Sequence, residues 1–195
     1  MSFTTLSDGR SFPLLRPTAA DIPGIQVLAD ALAKINRFSG GAATTWSVAE
    51  HSLLVADLLP RRLRLYGLLH DAHEAIVGDI TTPVKAALEL LASRPGLVQR
   101  LVAPIDDAIH LAFGLPWPLP LADRALVDRA DARALATEWR DLRPGCAAPP
   151  GMAEPAPVPM LKPDASWPRV AERFVARYHR LRDAGLDGDT LDATG

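Results

Sequence analysis

Almost every apolar run in this chain recurs at steps of three and four residues, and most of the runs are closed by glycine or proline. That spacing is one face of an α-helix, whereas a half-buried strand needs strict alternation, and no convincing alternating run occurs. Stripes of this kind can be buried only against other helices. The predicted fold class is therefore all-α, a bundle of about six or seven helices. Ile25, Leu28, Ala29, Leu32 and Ile35 form the first stripe, broken by Gly40-Gly41. Ser47-Val48-Ala49-Glu50 reads as a capping box, with Ser47 as N-cap and Glu50 reaching back to its amide. It predicts a helix from Val48 to Leu59, stopped by Pro60.

A further helix is expected over roughly Arg62 to Val77, with Gly78 as its C′ residue. Thr82-Pro83 opens another, to about Ala92. Leu97 to Phe113 is helical, with Pro104 either kinking or splitting it. Leu115 to Pro120 is a stiff connector, and Leu121 to Leu142 is the longest uninterrupted helical pattern. Residues 1–20 form an extended lead-in with a short hairpin turn around Ser7-Asp8-Gly9.

Of the 18 prolines, eight fall between Pro144 and Pro168. Such a segment cannot be helical and reads as an extended strap. An ordered strap is expected, because the amphipathic helix that follows needs a core for Val170, Phe174, Val175, Tyr178 and Leu181. The expected organisation is one domain over residues 1–183, with the strap at 144–168, a closing helix at 167–183 and a flexible polar tail at 184–195.

Composition removes several classes of function. With 21 basic and 23 acidic residues the net charge is −2, so no basic footprint for a nucleic acid polymer exists at whole-chain level. A single cysteine, Cys146, excludes an intrachain disulfide or a Cys-rich zinc module. No run of about 18 apolar residues is present, so no membrane partner is expected. The opening MSFTTLSDGRSF lacks the apolar centre of a secretory signal, and the expected location is cytoplasmic.

The string His70-Asp71-Ala72-His73-Glu74 is dense in metal-ligand types and follows the apolar Leu65, Leu68 and Leu69. A polar pair there is costly to bury without a partner. On a regular helix His70 and Glu74 share a face, and Asp71 lies about 100° round. One ion can serve both members of the His-Asp pair only near the seam between their directions. The string is not the His-Glu-x-x-His pattern of metalloproteases. Asp79 follows just beyond. Asp131, with Val127 and Leu135 one turn to either side, lies close to the inward stripe of the long helix. An inward carboxylate calls for a cation. Asp128 is its rival, and otherwise a surface acid for Arg124. His51 alone reads as a core-edge histidine, and His73 as a solvated one. His110 and His179 read as surface or core-edge residues.

Together, Arg37-Phe38, Ser47-Val48-Ala49-Glu50-His51-Ser52, Leu68-Leu69-His70-Asp71-Ala72-His73-Glu74, Gly78-Asp79-Ile80, Thr82-Pro83-Val84-Lys85 and Ala130-Asp131 resemble the HD-domain phosphohydrolases. The branch most similar holds the bacterial 5′-deoxynucleotidases and the phage deoxyadenosine triphosphate triphosphohydrolase. The resemblance covers almost the whole chain, from Gly9-Arg10 to the helix at Trp167. It implies an HD-domain helical bundle and one divalent ion bound by His51, His70, Asp71 and Asp131. Two imidazoles and two carboxylates suit Co²⁺, Mn²⁺, Zn²⁺, Fe²⁺ or Ni²⁺, with Mg²⁺ less natural. It further implies Glu74 and Asp79 as catalytic groups, and Arg37, Phe38 and Lys85 as substrate contacts. The expected activity is a 5′-(deoxy)nucleotidase acting on small-molecule nucleoside monophosphates, with a triphosphohydrolase as the alternative and a non-catalytic nucleotide or metal sensor a poor third. Phe38 stands where the deoxynucleotidases carry tryptophan. A homo-oligomer is also implied.

Overall fold

The computed structural model describes residues 2–188. Eight α-helical segments carry the fold among them: α1 (Ile25–Lys34), α2 (Val48–Asp57), α3 (Arg64–Leu69), α4 (Glu74–Val77), α5 (Thr82–Leu91), α6 (Leu97–Ala112), α7 (Leu121–Leu142) and α8 (Trp167–Gly188). Taking α3 and α4 together as the single helix expected from sequence, these are seven, and the all-α class holds. The lead-in is a small hairpin, β1 (Phe3–Thr5) antiparallel to β2 (Ser11–Pro13), with Phe3 opposite Pro13. Gly9 turns it at a φ of +82°, a conformation that glycine adopts without steric cost.

The helix expected over residues 62–77 is broken. Between His70 and His73 the amide bonds tighten from four-residue to three-residue steps: Ala72 N–H donates to Leu69 O, Glu74 to Asp71 O, Ala75 to Ala72 O. The Gly67 carbonyl accepts a proton from His70 Nδ1 at 2.8 Å, which draws it into side-chain bonding at this step. By contrast α6 runs unbroken through Pro104, and α7 has the limits expected. α8 extends to Gly188, beyond the Asp183 end expected from its stripe, and residues 189–195 of the expected tail lie outside the described residues.

Two apolar clusters hold the bundle. The larger joins Leu28 and Leu32 of α1, Val48 and Leu53 of α2, Leu68 and Leu69 of α3, Ile105 and Ile109 of α6, and Val170 and Phe174 of α8. The smaller joins Val55, Leu59, Leu63 and Tyr66 to Val127, Ala130 and Ala134 of α7. Between α2 and α3 the backbones approach so closely that a Cβ on Gly67 would lie 3.2 Å from Ala56 Cα and 2.4 Å from Leu59 Cδ1. That contact brings the helix bearing His51 against the segment bearing His70.

The strap is tied to the bundle by its amides. Ala156 N–H donates to Thr137 Oγ1 at 2.8 Å, Leu161 N–H to Asp141 Oδ2 at 2.9 Å, and Asp164 N–H to Glu50 Oε1 at 2.9 Å. No helix among the described residues is long and apolar enough to cross a membrane.

Candidate metal centre

His51 reaches the centre because the capping box fixes the start of α2. Glu50 N–H donates to Ser47 Oγ, while Ser47 N–H donates to Glu50 Oε2 at 2.9 Å. One residue on, His51 is fully buried. Its Nδ1 lies 2.6 Å from Glu138 Oε1. A carboxylate only accepts, so Nδ1 carries a proton toward Glu138, and Nε2 is the ring nitrogen left for an ion or a second proton. His70 is set the same way by the Gly67 carbonyl. The two Nε2 atoms face each other at 3.3 Å. Two lone pairs at that distance repel unless positive charge lies between them.

The carboxylates complete the group. Asp71 Oδ2 lies 3.1 Å from His70 Nε2 and 3.5 Å from His51 Nε2. Asp131 Oδ1 lies 3.0 Å from His51 Nε2 and 3.9 Å from His70 Nε2. Donors each about 2.1 Å from one ion sit roughly 3.0–3.4 Å apart at octahedral or tetrahedral angles. The spacing and chemistry of these four donors fit a divalent ion, and His51, His70 and Asp131 alone already form a group able to hold one. Tightening of the chain at residues 70–73 brings both members of the His-Asp pair to the same point. Asp131 has a side chain 45% exposed; it stands at the mouth of the site rather than inside the bundle. Asp128 is 64% exposed and paired with Arg124 at 3.3 Å, and both line the cavity beside the centre.

The electrostatics also call for a cation. Burial and Arg37 disfavour a charged His51, but Glu138 and Asp131 outweigh them and raise its pKa to about 10. Burial opposes ionisation of Asp71, yet His70, His51 and Arg37 hold it well below the usual carboxylate range. In the absence of an ion, the site draws in protons instead.

Arg37 is brought in by the loop before α2. Its N–H donates to Trp46 O, and Val48 N–H donates to Ile35 O. Its Nε donates to Glu138 Oε2 at 3.0 Å, and its Nη1 lies 3.8 Å from Asp71 Oδ2. The terminal nitrogens of the guanidinium stay near the centre while the base of its fork is held. Glu74 begins α4 and is 4% exposed, with Oε2 buried and without a hydrogen-bond partner among the described residues. Burial, then Asp71 and Asp79, push its carboxyl up to about 8. Asp79 is half-buried, and burial raises it too against the pull of Arg37.

A cavity of about 280 Å³ adjoins the centre, and His70, Asp71, Asp131 and Lys85 line it. Arg37, Glu74, Asp79 and Phe38 are not among its lining residues. The Phe38 ring meets Trp139 edge-on at 5.9 Å and lies under the guanidinium groups of Arg143 at 5.3 Å and Arg37 at 5.7 Å. Its backbone is left-handed, φ 57°, a strained conformation for a bulky residue, which turns the chain sharply after Arg37.

His73 differs from its sequence reading as a solvated residue. It is 8% exposed, and its Nδ1 lies 2.9 Å from Asp106 Oδ1. The charge of Asp106, 33 residues away, makes this burial tolerable. His110 is also buried, at 1%. The residue that reading the sequence left without a role is Glu138. It is fully buried and serves His51, Arg37 and Trp46 Nε1, the last at 2.8 Å. The available signal was its spacing: seven residues beyond Asp131, it returns to the same face of α7 after two turns.

Comparison with known proteins places the chain in a family. It is 37% identical to a Rhodobacter capsulatus protein, "Uncharacterized protein RCAP_rcc00048", over 89% of this chain and 92% of that protein. It is 36% identical to "Uncharacterized protein YfdR" of Escherichia coli over 73% of each. The chain belongs to the family of these two proteins. A more distant similarity, 29% identity over 45% of this chain and 56% of the relative, is to a protein of Cronobacter sakazakii named "5'-deoxynucleotidase". No protein-family profile matches the chain.

Proposed function

We propose that the chain is a metal-dependent nucleotide phosphohydrolase of the HD type, releasing phosphate from 5′-(deoxy)nucleoside monophosphates. The observation that carries the reading is the convergence of two imidazole lone pairs and two carboxylates at 3.0–3.9 Å, beside a guanidinium and a buried carboxyl with an unpartnered oxygen. The distant 5′-deoxynucleotidase supports the substrate class.

A divalent ion held by His51, His70, Asp71 and Asp131 supplies a Lewis acid for the phosphoryl group and for the attacking water. The protein does the rest. Arg37 presents its terminal N–H groups to phosphate oxygens, because Glu138 already fixes its Nε. Glu74, in its ionised form, takes the proton of the attacking water. Its raised pKa lets the same carboxyl hold that proton and give it to the leaving 5′-oxygen. Asp79 orients the water or contacts the sugar hydroxyl. Lys85 offers a second cation at the cavity wall.

The test is a panel of ribo- and deoxynucleoside mono-, di- and triphosphates with Co²⁺, Mn²⁺, Zn²⁺ and Mg²⁺, with the released species identified. Monophosphates should yield inorganic phosphate, and chelation should abolish turnover. Release of triphosphate would move the substrate class, and no hydrolysis of any nucleotide with any ion would sink the reading.

A further inference from the structure

The cavity beside the metal centre has a mixed lining. His70, Asp71 and Asp131 share it with the apolar Val98, Val102, Leu119 and Val127, with His110 and Trp117, and with the polar Gln99, Asp106, Arg124 and Asp128. There the His110 ring is stacked between two others. Its centroid is 3.7 Å from Trp117, with 15° between planes, and 5.9 Å from Tyr66, with 19°. Each ring is anchored by its polar atom. Tyr66 donates its hydroxyl proton to Pro116 O at 2.9 Å, Trp117 donates Nε1–H to Asp107 Oδ1 at 2.6 Å, and His110 Nδ1 meets Asp106 O at 2.8 Å.

That last bond sets the tautomer. A backbone carbonyl only accepts, so the proton of His110 is on Nδ1 and Nε2 carries a lone pair. Burial lowers the pKa of His110, and the ring is neutral at pH 7. The lining thus combines apolar side chains and stacked aromatic rings, with an acceptor on one of those rings, beside the charged Asp106, Arg124 and Asp128.

We infer that the wall formed by His110, Trp117 and their apolar neighbours is the nucleobase subsite, and that His110 Nε2 accepts a hydrogen bond from an amino group on the base. The inference rests on the phosphohydrolase reading for its phosphate end. A ligand with an anion at the metal centre and a flat, largely apolar ring on the aromatic wall matches both kinds of lining, whereas a bare sugar phosphate leaves the aromatic wall uncovered. Adenine and cytosine bring an amino donor. Thymine brings a carbonyl to the same edge, where two lone pairs meet.

The experiment compares dAMP, dCMP, dTMP and deoxyribose 5-phosphate as substrates of the metal-loaded protein. dAMP and dCMP should exceed dTMP by about tenfold in kcat/KM, as expected for a site with a buried hydrogen-bond partner left unpaired by the wrong ligand. Trp117→Ala should raise KM for dAMP by about tenfold or more and leave kcat/KM for deoxyribose 5-phosphate unchanged. The base-free ester reports that the variant is folded and its metal centre intact. Should that variant not fold, the wild-type ranking decides alone. Equal efficiency on dAMP and dTMP, or equal loss of all substrates in a folded Trp117→Ala, overturns the inference. If no phosphate ester is hydrolysed, the phosphohydrolase reading fails, and calorimetry with deoxyadenosine and thymidine still tests the subsite: measurable binding of deoxyadenosine, about tenfold tighter than thymidine, supports it, and equal or absent binding overturns it.

Discussion

Glu138 Oε1 lies 2.6 Å from His51 Nδ1, and the other oxygen of the same carboxylate accepts from Arg37 Nε at 3.0 Å. One buried acid therefore orients the imidazole of a candidate metal ligand and holds the Nε side of the Arg37 guanidinium. Replacing it with Glu138→Gln keeps the shape but removes the charge on which both neighbours depend. Metal affinity should fall about 10- to 100-fold, the usual cost of losing such a partner. Calorimetric titration of Mn²⁺ measures it, and unchanged affinity would reduce Glu138 to a packing role.

Asp131 and Asp128 make a matched pair for testing the fourth ligand. Asp131→Asn should weaken metal binding by at least about tenfold, because an anion serves a dication far better than an amide oxygen does. Asp128→Asn should change it little, since an exposed pair of this kind contributes roughly 0–1 kcal/mol. The opposite ranking would mean that the assigned face of α7 is wrong.

Protons and metal compete at His51. Its folded pKa, raised from 6.5 to about 10, means that an ion must displace a proton from Nε2 at neutral pH. Affinity for the ion should rise about tenfold per pH unit between about pH 7 and 9. The sign for the metal-free fold is the reverse. A raised pKa gives stability that is full below 6.5 and lost as pH climbs through about 10. Metal-free protein should melt at progressively lower temperature across that window, and the loaded protein should not. Parallel melting curves for both forms would remove His51 from the exchange.

Arg37→Lys should raise KM more than it lowers kcat. A lysine ammonium cannot stay on Glu138 and still present two planar donors to a phosphate. Steady-state kinetics on a nucleoside monophosphate check this, with a melting curve to show that the fold persists.

Gly67→Ala tests the close approach of α2 and α3. The added methyl meets Ala56 Cα at 3.2 Å, so the helices must part by a few tenths of an ångström. About 1–3 kcal/mol of stability should be lost, as is usual for overpacking. Metal affinity should fall with it, because His51 and His70 ride on the two helices. Urea denaturation with and without Mn²⁺ separates the two effects.

The helices were legible because their signals are local. The capping box at Ser47 and Glu50, the stripe of α8 and both ends of α7 follow from residues within a few positions of one another. The break at His70 was not legible, since it arises where a side chain, His70 Nδ1, engages a carbonyl of its own helix. The burial of His73 was hidden for a different reason: its partner Asp106 comes from α6, and nothing near residue 73 announces it. His51, His70, Asp71 and Asp131 were nameable through a family resemblance, and the fold brings their donor atoms together. The surroundings of Phe38 were less legible, because its ring meets Trp139 and Arg143, about a hundred residues away, as well as the neighbouring Arg37.

The strap has a consequence for the order in which the chain is made. Both oxygens of Glu50 are engaged, Oε2 by Ser47 and Oε1 by the amide of Asp164, 114 residues later. The helix that presents His51 is therefore anchored from the far end of the polypeptide. During translation, every ligand of the centre leaves the ribosome before the segment that anchors α2 does, and before α8 covers the core. The nascent chain carries all four proposed ligands, His51, His70, Asp71 and Asp131, while its bundle is still unfinished.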